Sequence, residues 1–140
     1  MPVPDPAVLV AGEWVAKAEN DLKNAAFALK LGTDCPTDTV CFHAQQCVEK
    51  YLKALLVLHA IAFPKTHNIR ILTALVPERF RPAIPHEIQD RLTEYATVTR
   101  YPGEYEAIPL AEARGAVRLA RRVRSDARRL LPRQAAKRKV

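Results

Sequence analysis

Apolar residues recur every three or four positions through several long segments of this chain. In the first segment the repeating positions are Val8, Ala11, Val15, Ala18, Leu22, Ala25 and Leu29. In the second they are Val40, Ala44, Cys47, Val48, Tyr51, Leu55 and Leu58. At about 100° per residue each set lies on one side of a helix. The pattern therefore predicts long helices over residues 7–31 and 36–60, with Gly32 ending the first and Pro36 opening the second.

The rest of the chain continues the helical pattern, with prolines between the segments. We predict a short helix over 67–75 with Thr66 as its N-cap, and a fourth helix over 85–97 with Ile88, Leu92 and Tyr95 inward. A last long helix runs over 109–131 and ends at Pro132. Short connections between long helices predict an all-α, up-and-down antiparallel bundle of four long helices plus a short helix. We expect residues 1–6 to be a disordered lead-in, 7–132 a single domain and 133–140 a basic tail.

Composition narrows the classes of protein. A chain of 140 residues, 49% apolar with only four glycines, is long enough to bury one core. No apolar run approaches the length of a membrane span, and the first twenty residues lack a basic signal region, so we expect a cytoplasmic protein with no membrane contact. Cys35, Cys41 and Cys47 form neither a CxxC pair nor a zinc ligand set. We therefore predict no metal and no cofactor.

Positive charge is concentrated at the end of the chain. Residues 114–140 contain eleven Lys and Arg against one acid, Asp126, whereas the other 113 residues carry a net charge of −3. A helix this basic can follow the phosphates of a nucleic acid or receive an acidic partner protein. The alternative is a solvated face, since arginine is a good helix former.

A narrow polar stripe runs beside the apolar face of the second helix. It consists of His43, Gln46, Lys50 and Lys53, which together offer an imidazole, an amide and two ammonium groups. Such a set suits a phosphate or an acidic partner. Alternatively, Glu49 pairs with Lys53 one turn away and the lysines only solvate the helix edge. His67, just after the Thr66 cap, could likewise hold a phosphate or simply cap and pack.

Several polar identities in this region also coincide with a known family. Phe42-His43-Ala44-Gln45-Gln46, then Glu49-Lys50, Leu52-Lys53-Ala54 and Pro64-x-Thr66-His67, resemble the signature of the HEPN domain, and the similarity extends over roughly residues 8–131. The resemblance implies a homodimer that works beside a small nucleotidyltransferase in a toxin–antitoxin-like pair. It also implies that a nucleotide or RNA contacts His43, Gln46, Lys50, Lys53, His67, Arg100 and Tyr101. The expected dimer interface involves the first and last long helices.

Ribonuclease members of that family carry an Arg, four to six variable residues and a His ahead of the last helix. Here Arg100 is followed by Tyr105 in the place of the His. Tyrosine, with a reference pKa near 10, is a poor proton shuttle at neutral pH. Arg81 and His86 do satisfy the spacing, but about one such match is expected by chance. Arg100, Tyr101 and Tyr105 could bind phosphate and stack a base, or could form a structural turn.

These observations favour a nucleotide- or RNA-binding interaction module over a nuclease. The alternative is a metal-independent endoribonuclease toxin acting at a dimer cleft, with Arg100, Tyr105, Arg81 and His86 as candidate catalytic residues. A third hypothesis is a bundle that binds a free nucleotide through Lys50 and Lys53 and has no RNA role.

Overall fold

Helices form the regular structure of this protein. The computed structural model describes residues 3, 5–97 and 106–136, and no strand occurs among them. The helices are α1 (Pro6–Leu29), α2 (Thr37–Leu58), α3 (Ile69–Leu75), α4 (His86–Thr97), α5 (Leu110–Leu130) and α6 (Arg133–Ala136). Two 3-10 turns lie at Gly32–Asp34 and Glu78–Phe80. The predicted all-α helical bundle is confirmed, and the predicted long helices are present to within two residues at each end.

The central helix of the bundle is α2, which packs against α1, α3, α4 and α5. Its apolar face and much of its polar stripe are buried. The predicted seam of α1 packs on it, with Ala11, Val15, Ala18, Leu22 and Ala25 all buried. Because α1 and α2 are joined by a short turn and contact each other along their length, they form an antiparallel hairpin. Residues on α2 therefore face most of the other helices.

Two local predictions were wrong. The N-cap of α3 is Asn68, whose side chain accepts a hydrogen bond from the Ile71 N–H at 3.1 Å. The Thr66 hydroxyl instead accepts from the Asn68 N–H at 3.0 Å, so it shapes the turn ahead of the helix. On α4, Leu92 and Tyr95 are buried as predicted, but Ile88 is 38% exposed. Ile88 lies on a groove between α4 and α5 rather than in the core.

The helical structure continues past Pro132. Residues 133–136, which the sequence placed in a basic tail, form the single turn α6, and Ala135 is buried. The Ala136 N–H donates to the Pro132 carbonyl at 3.1 Å. Proline suits this position because it ends one helix and its fixed φ favours the first turn of the next. α6 packs against α1, which joins the two ends of the described chain.

In the described ranges 5–97 and 106–136, no helix combines the length and apolar character that crossing a bilayer requires.

Candidate functional site

A buried carboxylate, Glu49, organises the polar side of α2. Its side chain is 2% exposed and accepts three hydrogen bonds. The donors are Gln45 Nε2 at 2.8 Å, His67 Nδ1 at 2.8 Å and Lys53 Nζ at 2.9 Å. Gln46 extends the network, because its Nε2 donates to Gln45 Oε1 at 2.7 Å. A buried charge is tolerated only when it is paired and hydrogen-bonded, and Glu49 meets both conditions.

Aromatic rings enclose the Lys53 ammonium from the other side. Its Nζ lies 5.3 Å from the ring centre of Trp14 on α1 and 5.9 Å from that of Phe63. The two rings meet edge to face, with centres 6.5 Å apart. Lys53 is thus held by Glu49 and by the negative faces of two rings. These contacts fasten the loop after α2, through Phe63 and His67, onto α1 and α2.

A second carboxylate, Asp21, binds two members of the polar stripe, His43 and Lys50. Asp21 lies on the buried face of α1, and its two oxygens lie 2.9 Å from His43 Nδ1 and 2.5 Å from Lys50 Nζ. These contacts link α1 to α2 through one buried acid and two partly buried bases. The sequence contains a signal for this acid, because Asp21 falls three residues after Ala18 and four before Ala25, on the apolar seam.

The predicted binding stripe is therefore a set of internal contacts. His43 and Lys50 bind Asp21, while Gln46, Lys53 and His67 belong to the Glu49 network. The alternative in which Glu49 pairs with Lys53 is present in the structure. A nucleotide-binding role for these five residues stays a prediction, and a ligand would have to compete with carboxylates already in place.

A third acid, Glu19 on α1, ties the basic last helix to the bundle. Arg124 Nε lies 2.8 Å from both Glu19 oxygens, and Arg128 Nη1 lies 3.2 Å from one of them. Burial alone would raise the pKa of Glu19, but the hydrogen bonds and charge of Arg124, helped by Arg128, hold that pKa below its usual value. Burial raises the pKa of the neighbouring Tyr51 hydroxyl and that of the Cys47 thiol.

The structure sorts the arginines of α5 into paired and unpaired groups. Arg124 and Arg128 bind Glu19, and Arg129 binds Asp126. Arg122 donates to the Ala83 carbonyl at 2.6 Å. Three exposed arginines make no ion pair or hydrogen bond with any residue that the structure describes: Arg114, Arg118 and Arg121. Within the described residues, the solvent face of α5 is therefore a row of guanidinium groups without an acid partner, which we call the α5 basic face (Arg114, Arg118, Arg121 and Arg122).

Next to this face, a charge cluster joins α4 to α5. Arg91 Nε lies 2.8 Å from a Glu112 oxygen, and the Tyr95 hydroxyl donates to the same carboxylate. The hydrogen bond from Arg91 lowers the pKa of Glu112. Burial, together with that carboxylate, raises the pKa of Tyr95. Arg91 and Tyr95 both bind one oxygen of Glu112, and the Arg91 guanidinium offsets its negative charge.

Arg81 and His86, the pair with the ribonuclease spacing, line one cleft of about 460 Å³ between α3 and α4. The Arg81 guanidinium donates to the Val76 carbonyl at 3.0 Å and to the Ala74 carbonyl at 3.2 Å, so it closes the C-terminus of α3. Thr73 also lines the cleft, and its buried hydroxyl has no hydrogen-bond partner in the described part of the chain. Arg81 and His86 thus line the same cleft, but the Arg81 guanidinium already binds backbone carbonyls at the end of α3.

Arg100, Tyr101 and Tyr105, the other predicted site residues, lie outside the described residues.

Comparison with known proteins supports one family for the whole domain. Residues 11–130 match the family model of the HEPN domain. The fold is similar to the crystal structure of TT1696 from Thermus thermophilus, with a TM-score of 0.67 and 30% identity, covering 86% of this chain and 98% of that one. A segment of 50 residues is 46% identical to a protein of Methanocaldococcus jannaschii named "Putative toxin MJ1304". That segment is 36% of this chain and only 31% of the relative's length.

Proposed function

The chain belongs to the HEPN domain family, and from that premise we propose that it is an RNA-binding interaction module that contacts RNA through the α5 basic face. It works as a homodimer beside a small nucleotidyltransferase, in a toxin–antitoxin-like pair. Family membership and the name of the toxin relative support the pairing. Three free, buried cysteines suit a reducing, cytoplasmic setting.

One observation carries the RNA-binding proposal: the exposed arginines of α5 that have no acid partner among the described residues. Three of them, Arg114, Arg118 and Arg122, follow one another at intervals of four residues, about 6 Å along the helix axis. Guanidinium groups bind phosphate oxygens with two parallel hydrogen bonds, and binding releases counterions from the nucleic acid. Arginines that already neutralise acids, such as Arg124 and Arg128, are less available for this task. Among the described residues, no acid competes with a phosphate backbone for the exposed row.

The test is the salt dependence of RNA binding, measured by fluorescence anisotropy with a labelled single-stranded RNA. One variant removes three charges from α5 (Arg114→Ala, Arg118→Ala and Arg121→Ala). A matched control removes three exposed charges elsewhere (Lys17→Ala, Lys23→Ala and Lys65→Ala). If each arginine contacts one phosphate, the slope of log affinity against log salt should fall by about 2 in the α5 variant.

The control decides between a specific surface and net charge. If both triple variants weaken binding equally, only total charge matters and the α5 face is not the contact surface. If the unaltered chain binds no RNA at physiological salt, the RNA part of the proposal fails. Sedimentation of the unaltered chain tests the homodimer separately, because a monomer at micromolar concentration would contradict it.

A second candidate function is RNA cleavage, which is favoured by the presence of Arg81 and His86 in one cleft. It predicts metal-independent cleavage of a mixed RNA pool that is lost in His86→Ala. Arg81→Ala is a poorer probe, because it also removes the hydrogen bonds that Arg81 donates to the Val76 and Ala74 carbonyls. Arg100→Ala tests the other arginine. Cleavage that survives in both His86→Ala and Arg100→Ala would come from a contaminant or from another site. Cleavage that is lost in Arg100→Ala would contradict the binding-module proposal.

A further inference from the structure

A groove with an apolar lining runs between α4 and α5, beside the α5 basic face. Its volume is about 610 Å³, within the usual range of small-ligand pockets. Ile88 and Leu92 of α4 and Leu119 of α5 line it, together with Arg118 and Arg122. Ile88 is 38% exposed and contributes apolar surface to the groove. The groove therefore combines an apolar lining with two exposed guanidinium groups on its α5 side.

Gly115 lines the α5 side of this groove and has no side chain to occupy it. It lies inside a 21-residue helix, where glycine is among the least favourable residues. Packing among the described residues does not require it, because an added Cβ would meet only Arg118 Nη2 there, at an ordinary distance of 3.7 Å. Its φ angle is not in the positive range. Gly115 therefore weakens the helix without an internal reason, while its missing side chain leaves room in the groove.

We propose that this groove receives the bases of single-stranded RNA, with Arg118 and Arg122 binding the flanking phosphates. The inference rests on the proposed function, and it adds the place where bases contact the protein. Apolar walls and arginine planes suit the faces of unstacked bases. The hydrogen bond from Arg122 to the Ala83 carbonyl fixes its guanidinium and leaves further N–H groups for a phosphate.

Charge favours RNA over a neutral or basic occupant. Glu112 is the one acid among the groove's described lining residues, and Arg91 and Tyr95 already bind it. Arg118 has no acid partner within the described ranges, so the α5 side of the groove attracts anions. A ligand with flat apolar groups joined by regularly spaced anions fits both properties at once.

The experiment fills the groove without changing its charge. Gly115→Leu projects a side chain into the space, and Gly115→Ala is the matched control that adds only a Cβ. Both replacements are better helix formers than glycine, so the melting temperature should not fall. The probes are a labelled ten-nucleotide single-stranded RNA and an abasic ten-mer of the same charge. Gly115→Leu should weaken RNA binding about tenfold or more and leave binding of the abasic strand within about twofold.

A second variant approaches the groove from the other helix. Ile88→Gln keeps a side chain of similar length at an exposed position and removes its apolar surface. It should also weaken RNA binding more than abasic binding, whereas Gly115→Ala should leave both unchanged. Agreement between variants on α4 and α5 would separate a groove effect from a local distortion of either helix.

Four other outcomes would overturn the proposed base-binding groove, and each points to a different cause. Undiminished RNA binding by Gly115→Leu would remove the groove from the RNA site and leave the proposed function standing. Equal loss for RNA and the abasic strand would mean that only arginine–phosphate contacts had been disturbed. A simultaneous change in sedimentation coefficient would assign the groove to a second copy of the chain. No RNA binding by the unaltered chain would overturn both proposals.

Discussion

Replacing Glu49 should destabilise this protein more than replacing any exposed acid. In Glu49→Leu the Lys53 ammonium, only 9% exposed, loses its counter-charge, and Gln45 and His67 lose their acceptor. Removing one partner of a buried ion pair costs about 3–5 kcal/mol. That is a large share of a total stability of about 5–15 kcal/mol. At roughly 3–4 °C per kcal/mol for a chain of this length, the melting temperature should fall by roughly 10–20 °C.

A double-mutant cycle measures the coupling between Glu49 and Lys53. Lys53→Met alone leaves a buried carboxylate without its cation and should also be costly. The double variant, Glu49→Leu with Lys53→Met, replaces the pair by apolar groups of similar size and should recover most of the loss. Urea unfolding followed by circular dichroism gives the free energies. If the double variant loses the sum of the two single losses, Glu49 and Lys53 are not coupled and their contact does not stabilise the fold.

The exposed Arg70–Asp90 pair is the matched control for this cycle. Its side chains are about half exposed, with Arg70 Nε 2.7 Å from Asp90 Oδ1. The same cycle, with Arg70→Met and Asp90→Leu, should show little coupling because solvent screens the pair. Coupling as strong as that measured for Glu49 and Lys53 would mean that burial is not the cause of the effect.

Three further predictions concern other parts of the bundle. The pKa of Glu19 is lower in the folded chain than its ordinary value of 4.5, so its contribution is present above that pH and is lost as the pH falls through the lower folded value. Urea midpoints of the unaltered chain should therefore drop more steeply than those of Glu19→Gln below pH ~4.5; parallel curves would contradict this. Asn68→Ala should cost about 1 kcal/mol in urea unfolding, because α3 loses its N-cap; an unchanged midpoint would deny that role. The three buried cysteines should resist alkylation until the chain unfolds, with Cys47 slowest because burial raises its pKa; rapid labelling under native conditions, followed by mass spectrometry, would contradict this.

Local patterns predicted most of the fold because helical periodicity is a local property. The seams of α1 and α2 follow directly from spacing, and prolines fix most ends. The errors have physical causes. Thr66 and Asn68 are both good caps, and only the backbone path decides which one starts α3. Ile88 has helical spacing with Leu92 and Tyr95, but spacing alone does not show how far along α4 the neighbouring helices cover its apolar face.

The candidate site was harder to predict because its partners are distant in sequence. The stripe His43 to Lys53 was visible as a polar row, but its meaning depends on Asp21, 22 residues before His43. Likewise, Arg124 looks like any other arginine on α5 until Glu19, 105 residues away, is placed opposite it. Composition correctly located the positive charge, while only the packing of α1 against α5 showed which arginines remain unpaired.

Several residues of the family signature hold the fold together. Its Gln45, Glu49 and Lys53 form one buried network, and His67 extends that network to the loop before α3. Such a network constrains residue identity strongly, because each member loses a partner if another changes. The α5 basic face and Gly115 lie outside the signature, and among the described residues no acid pairs with the arginines of that face. If RNA contacts the protein through α5, as proposed, RNA affinity should change more with substitutions on the α5 basic face than with substitutions inside this buried network.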